Sequence, residues 1–146
     1  MICTIDASVF VAAARETEEH YTISRKYLQQ MRAQAVNVVC PTLVLPECAA
    51  AIARPTRDPT LAEEIVTLVE SFTGLQLIAL DHPLAHRAAQ IATHYHLRGA
   101  DSVYAAVSET FNATLVTWDT EMLQRACQVV PTVTPADWLE KQTVNA

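Results

Sequence analysis

Short, continuous apolar runs alternate with longer amphipathic segments along this chain, and that alternation constrains the fold more than any other feature. The runs are residues 1–5, 36–40, 75–80, 114–117 and 129–133. Continuous apolar character fits strands buried on both faces. Between them, helical spacing is read at 7–14, at 18–33 with Tyr27, Leu28 and Met31 near one face, at about 43–54, from Thr60 towards Gly74, to about His96, at 100–111 and at 121–126; a terminal turn or helix opens at Pro135. Pro41 is expected to stop the second strand and Pro55 the helix before it. Thr60-Leu-Ala-Glu63 has capping-box spacing, and Asp81 precedes Pro83 as an N-cap. Strands joined through helices imply a parallel sheet with helices on both faces, a three-layer α/β/α sandwich with a central, mostly parallel sheet. At 146 residues the expectation is a single domain spanning 1–146, large enough for a real core.

Several function classes drop out. Gly74 and Gly99 are the only glycines, so neither G-x-G-x-x-G nor a P-loop can be built. Cys3, Cys40, Cys48 and Cys127 form no C-x-x-C pair and are read as reduced structural thiols. No apolar run is long enough to cross a membrane, and the N-terminus has neither a basic n-region nor a long h-region, which points to the cytoplasm. A net charge of −6 argues against broad electrostatic capture of nucleic acid. Arg15, Arg25, Lys26, Arg54, Arg57, Arg87 and Arg98 remain as local phosphate contacts, or simply as solvated surface charge.

Four acids stand at or just after apolar runs: Asp6, Glu47, Asp101 and Asp119. In an open parallel sheet, the carboxyl ends of the strands and the adjoining helix starts share one crevice. Asp6, Asp101 and Asp119 also suit plain helix starts, where an anion meets the macrodipole. Glu47 sits beside Ala49-Ala-Ala-Ile-Ala53, an unusually apolar neighbourhood for a carboxylate, or else on an exposed helix face. Carboxylates crowded into one crevice repel one another, and hard oxygen ligands suit Mg²⁺ or Mn²⁺. The set points to a metal-dependent enzyme acting on phosphate esters.

The segments Thr4-Ile-Asp6-Ala-Ser8-Val, Leu45-Pro-Glu47-Cys, Leu97-Arg-Gly-Ala-Asp101-Ser-Val-Tyr-Ala-Ala and Leu115-Val-Thr117-Trp-Asp119 resemble the four acidic motifs of PIN-domain ribonucleases, nearest in flavour to VapC-type toxins of toxin–antitoxin pairs. The tail Val133-Thr-Pro135-Ala-Asp-Trp138-Leu is similar to that family's ending. The resemblance implies a metal-dependent endoribonuclease with Asp6, Glu47, Asp101 and Asp119 as catalytic and metal-ligating acids. Ser8 and Thr117 match supporting polar positions. It further implies RNA as substrate, ends carrying a 5′-phosphate and a 3′-hydroxyl, a homodimer and a small antitoxin. Pro46 stands where the family has a helix-friendly residue, and Trp118 where it commonly has a smaller polar one.

Rival readings stay open. An inactive PIN-like binding or dimerisation module would keep the fold without the chemistry. An aspartyl phosphotransferase fits poorly, since Asp6-Ala7-Ser8 lacks the second acid of a D-x-D loop. Glu121 is a peripheral acid or an exposed helix residue. His82 and His86 share a helix face and His94-x-His96 is a second pair, but no third ligand suggests itself. The segments 18–33 and 60–74 carry partner contacts or merely pack on the sheet.

Overall fold

The computed structural model describes residues 1–144. Five strands, β1 (Ile2–Ile5), β2 (Asn37–Pro41), β3 (Leu75–Ile78), β4 (Thr114–Val116) and β5 (Thr132–Val133), form one sheet in the order β3-β2-β1-β4-β5. Every pairing is parallel. The helices are α1 (Ala7–Ala14), α2 (Tyr21–Ala33), α3 (Val44–Thr56), α4 (Pro59–Glu70), α5 (His82–Tyr95), α6 (Gly99–Thr110), α7 (Thr120–Arg125) and α8 (Pro135–Val144). On one side of the sheet α6 lies across β1, β2 and β4, and α5 packs on α6. On the other side α1 packs with α2, α3 and α4, and α8 packs on α2. The result is the expected three-layer α/β/α sandwich. Because α6 is enclosed between sheet and α5, every residue from Asp101 to Ser108 is buried.

Ile5, Val38 and Leu115 from the sheet, Tyr104 and Ile91 from one helical layer, and Tyr27, Met31 and Ile52 from the other are fully buried. Cys3, Cys40 and Cys48 are free thiols inside this core, while Cys127 is exposed. Burial pushes the Cys3 thiol up to about 11 and that of Cys40 to about 12. Cys40 donates to the Ile5 carbonyl at 3.3 Å, so it packs as a small apolar residue with a satisfied proton. Among the described residues no helix is long and apolar enough to cross a membrane.

Element boundaries depart from the sequence reading where capping or turn chemistry intervenes. Pro41 does not stop β2 but closes it, paired with Ile78. The next N–H, that of Thr42, carries the ladder on to the Ile78 carbonyl at 3.0 Å, so no donor is required from the proline. Pro46 falls in the first turn of α3, where its missing N–H costs no helical bond. Pro55 lies inside the last turn of α3 instead of ending it, and Arg57 closes the helix in the left-handed region at φ 56°. The cap of α4 is Asp58 rather than Thr60, its carboxylate accepting from the Leu61 N–H at 3.2 Å with Pro59 in the first turn. That helix ends at Glu70, short of Gly74. Gly74 adopts φ +83° with the Val36 carbonyl oxygen 3.0 Å from where a Cβ would stand, so only glycine fits this turn into β3.

The start of α2 is Tyr21, not Glu18, because turn bonds from the Glu18 N–H to the Arg15 carbonyl and from the Tyr21 N–H to the Glu18 carbonyl take up those residues. β3 stops at Ile78, two residues early. β5 is only Thr132–Val133, since the Val129 and Val130 N–H groups bond back to the Ala126 carbonyl in a 3₁₀ turn.

Candidate active site

The chain leaves β1 towards β2 and β3 on one side, then returns through α5 and α6 to lay β4 against the other side of β1. That reversal makes the carboxyl ends of β1 and β4 the switch point, where an open α/β sheet offers a crevice. The Asp6 N–H bonds the Val116 carbonyl at 3.0 Å, fixing the two strand ends together. Asp6 follows β1 and caps α1; Asp119 follows β4 and caps α7. Asp101 lies in the first turn of α6, and Glu47 in that of α3. The capping role foreseen for Asp6 and Asp119, and the first-turn placement foreseen for Asp101, therefore coexist with a shared location. Asp6, Ser8, Glu47, Arg98, Asp101 and Asp119 together line one cleft of about 330 Å³.

Thr117 organises the floor. Its hydroxyl donates to Asp6 Oδ2 at 2.9 Å and accepts the Asp119 N–H at 3.0 Å. Ser8 Oγ accepts the Trp118 N–H at 3.1 Å and lies 3.5 Å from the Thr117 hydroxyl. Asp119 Oδ1 accepts the Met122 N–H at 2.9 Å, which turns Oδ2 towards Arg98. Replacing the fully buried Thr117 by Val keeps the shape and removes both bonds. A loss of about 1–3 kcal/mol is expected, read as a lowered melting temperature in the calorimeter.

The electrostatics are those of crowded, poorly solvated anions. Burial raises the pKa of Asp6, the Ser8 and Thr117 hydrogen bonds oppose the rise, and the charge of Asp119 adds to it. Burial also raises Glu47; the adjacent Tyr104 hydroxyl opposes the rise, the Asp6 and Asp101 charges add to it, and Arg98 opposes it more weakly. Glu47 Oε1 and the Tyr104 hydroxyl beside it are both buried, and neither makes a hydrogen bond of good geometry. Asp101 is raised by burial and by Asp119 and Asp6, against the pull of Arg98. Arg98 spans the cleft, its Nε 2.9 Å from Asp101 Oδ2 and its Nη2 2.7 Å from Asp119 Oδ2.

A divalent cation suits this donor set. The ligands are hard oxygens, Glu47 Oε1 lacks a partner, and one guanidinium faces four carboxylates in the cleft lining. As the side chains stand, however, no three acid, imidazole or thiol groups among the described residues are gathered closely enough to ligate one ion. Arg98 holds Asp101 and Asp119, while Thr117 and Ser8 hold Asp6.

The other sequence candidates resolve as follows. Arg98 alone of the proposed phosphate contacts lines the cleft; Arg87 pairs with Glu109 at 2.6 Å and Arg15 with Glu18 at 3.5 Å. Glu121 pairs with Arg125. His82 and His86 do share a face of α5, ring centroids 6.4 Å apart. Trp118 sends its ring to α2, where Nε1 donates to Ser24 Oγ at 2.8 Å and His20 stacks on it at 3.8 Å. Sequence reasoning missed both the His20 stack and the double ion pair of Arg98. The i,i+3 spacing of Arg98 and Asp101 at a helix start was the available signal for the second.

Comparison with known proteins follows the same lines. The model of one family, described as the PIN domain, matches residues 3–128. No curated protein sequence matches the chain. Solved structures share the fold at low identity. VapBC2 from Rickettsia felis, bound to a DNA fragment from the promoter, is 16% identical with a TM-score of 0.71, covering 92% of this chain and 98% of that one. Mycobacterium tuberculosis VapC20, a sarcin-ricin loop cleaving toxin, is 14% identical with a TM-score of 0.70, covering 85% and 94%. FitAcB from Neisseria gonorrhoeae is 20% identical with a TM-score of 0.70, covering 93% and 99%.

Proposed function

Because the chain belongs to the PIN-domain family, we propose that it is a metal-dependent endoribonuclease that hydrolyses RNA phosphodiester bonds, the toxin of a toxin–antitoxin pair acting in the cytoplasm as a homodimer. The observation that carries this reading is the meeting of Asp6, Glu47, Asp101 and Asp119 along one cleft at the switch point of the sheet. These four acids would hold Mg²⁺ or Mn²⁺. Once bound, such an ion lowers the pKa of a coordinated water and offsets charge on the phosphoryl oxygens.

The chain's own side chains do the positioning. Thr117 and Ser8 fix the Asp6 carboxylate, so one oxygen is committed to the floor. Asp119 spends Oδ1 on the α7 cap and keeps Oδ2 towards the cleft. Asp101 sits in the first turn of α6, near partial positive charge that steadies an anion. Arg98, well exposed at the rim, is the one cationic group of the cleft lining among the described residues, and it is available to a phosphate. With a net charge of −6, binding rests on such local contacts rather than on a basic face. The antitoxin assignment leans on the fold shared with VapC20, which is a toxin.

A second reading, an inactive PIN-like binding or dimerisation module, draws on the absence of three ready ligands among the described residues. One assay separates the two. Purified protein is incubated with total RNA in Mg²⁺ or Mn²⁺, with and without chelator, and the new ends are mapped. Cleavage leaving 5′-phosphates that stops on chelation supports the nuclease. Intact RNA with both ions, from protein that also binds neither, favours the module.

A further inference from the structure

Arg98 reaches two acids on separate elements. Asp101 lies on α6, three residues on, whereas Asp119 caps α7, 21 residues away, and the guanidinium contacts them at 2.9 and 2.7 Å. Ordinary i,i+3 pairing accounts for the first contact but not the second. Both partners line the same cleft as Asp6 and Glu47, and among the described residues no other cationic side chain does so. The Arg98 stem is not buried, and its side chain makes no cap to its own helix, so nothing else anchors it there.

We propose that Arg98 is an internal stand-in for the catalytic cation: it bridges Asp101 and Asp119 in the ion-free protein, is displaced when a divalent ion enters, and then turns to the RNA phosphate. The inference rests on the metal-site reading of the cleft. Its physical basis is exchange. The acids cannot gather around an ion while two of their oxygens are bonded to a guanidinium, and the guanidinium gains a new anionic partner only when a phosphate is present. Arg98 therefore weakens ion binding in the free protein and strengthens substrate binding in the loaded one. A side chain with a merely structural role would not move these two quantities in opposite directions.

The test measures Mn²⁺ affinity calorimetrically for the full chain and for Arg98→Met, which keeps the apolar stem and removes the charge. The Met variant should bind Mn²⁺ about tenfold more tightly, equivalent to about 1.4 kcal/mol. With Mn²⁺ saturating, the KM for RNA should rise several-fold. Arg125→Met, which removes a nearby charge paired with Glu121 instead, serves as the control and should stay within about twofold of the parent in Mn²⁺ affinity. In parallel, the Arg98 Nε–H resonance of the parent should shift as Mg²⁺ is added. Equal Mn²⁺ affinity in parent and Arg98→Met, or an equal gain in both variants, overturns the stand-in role and leaves the metal site intact. No Mn²⁺ binding by any of the three proteins overturns both.

Discussion

Asp101→Asn should lower the rate of RNA cleavage about 10²–10³-fold while the protein stays folded. Asn keeps the volume and an acceptor oxygen at the start of α6 but removes the charge a cation needs. The Asp101 carboxyl has its pKa raised in the fold, by burial first and then by Asp119 and Asp6. The native state therefore holds this proton to higher pH than the unfolded chain, whose carboxyl titrates near about 3.9. Stability from this group is full below that value and is lost as pH rises through the folded one, because the native state then binds more protons. Asn has no such loss. The ion-free variant should melt at or above the parent temperature at pH 7, and the difference should vanish as the pH falls towards 4. Arg98 loses one partner, but it is exposed, so that cost is small. Initial rates at saturating Mn²⁺ and melting curves at two pH values check both halves. Parent-like cleavage by the purified variant would remove Asp101 from the chemistry.

Leu115→Ala should do the opposite. Leu115 is fully buried in β4, paired with Thr4 of β1 on one side and Thr132 of β5 on the other. Truncating a buried Leu typically costs about 3 kcal/mol through lost transfer energy and the cavity left behind. For a chain of this size that corresponds to a fall in melting temperature of about 10 °C. Below its transition the variant should still cleave RNA, since no cleft group is altered. An unchanged melting temperature would mean that β4 relaxes around the gap.

The layered fold was legible because β1 to β4 are continuous apolar runs and the helices between them carry a clear period. The boundaries were less so. Asp58 wins the α4 cap from Thr60 because Pro59 can occupy only the first turn, a local contest that a spacing rule does not rank. Pro41 pairs within β2 because the next residue supplies the donor, which depends on the neighbouring strand. At the site, each acid was visible as a residue at a strand end or helix start. Their common cleft depends on the strand order, which puts β4 beside β1. Arg98 was visible as a cation, but its contact with Asp119 arises only when α6 and α7 start side by side. Trp118 looked like a bulky intrusion on the rim; the structure gives its ring a berth against His20 and Ser24, on an element nearly a hundred residues earlier.

The bond from Thr117 to Asp6 joins positions 111 residues apart. During synthesis the first strand emerges at once but waits for its second neighbour until most of the polypeptide has left the ribosome. A truncated translation product ending before residue 117 has no floor beneath its first acid and no fourth carboxylate. The cleft therefore cannot assemble on the nascent chain until β4 and the turn that follows it have been made.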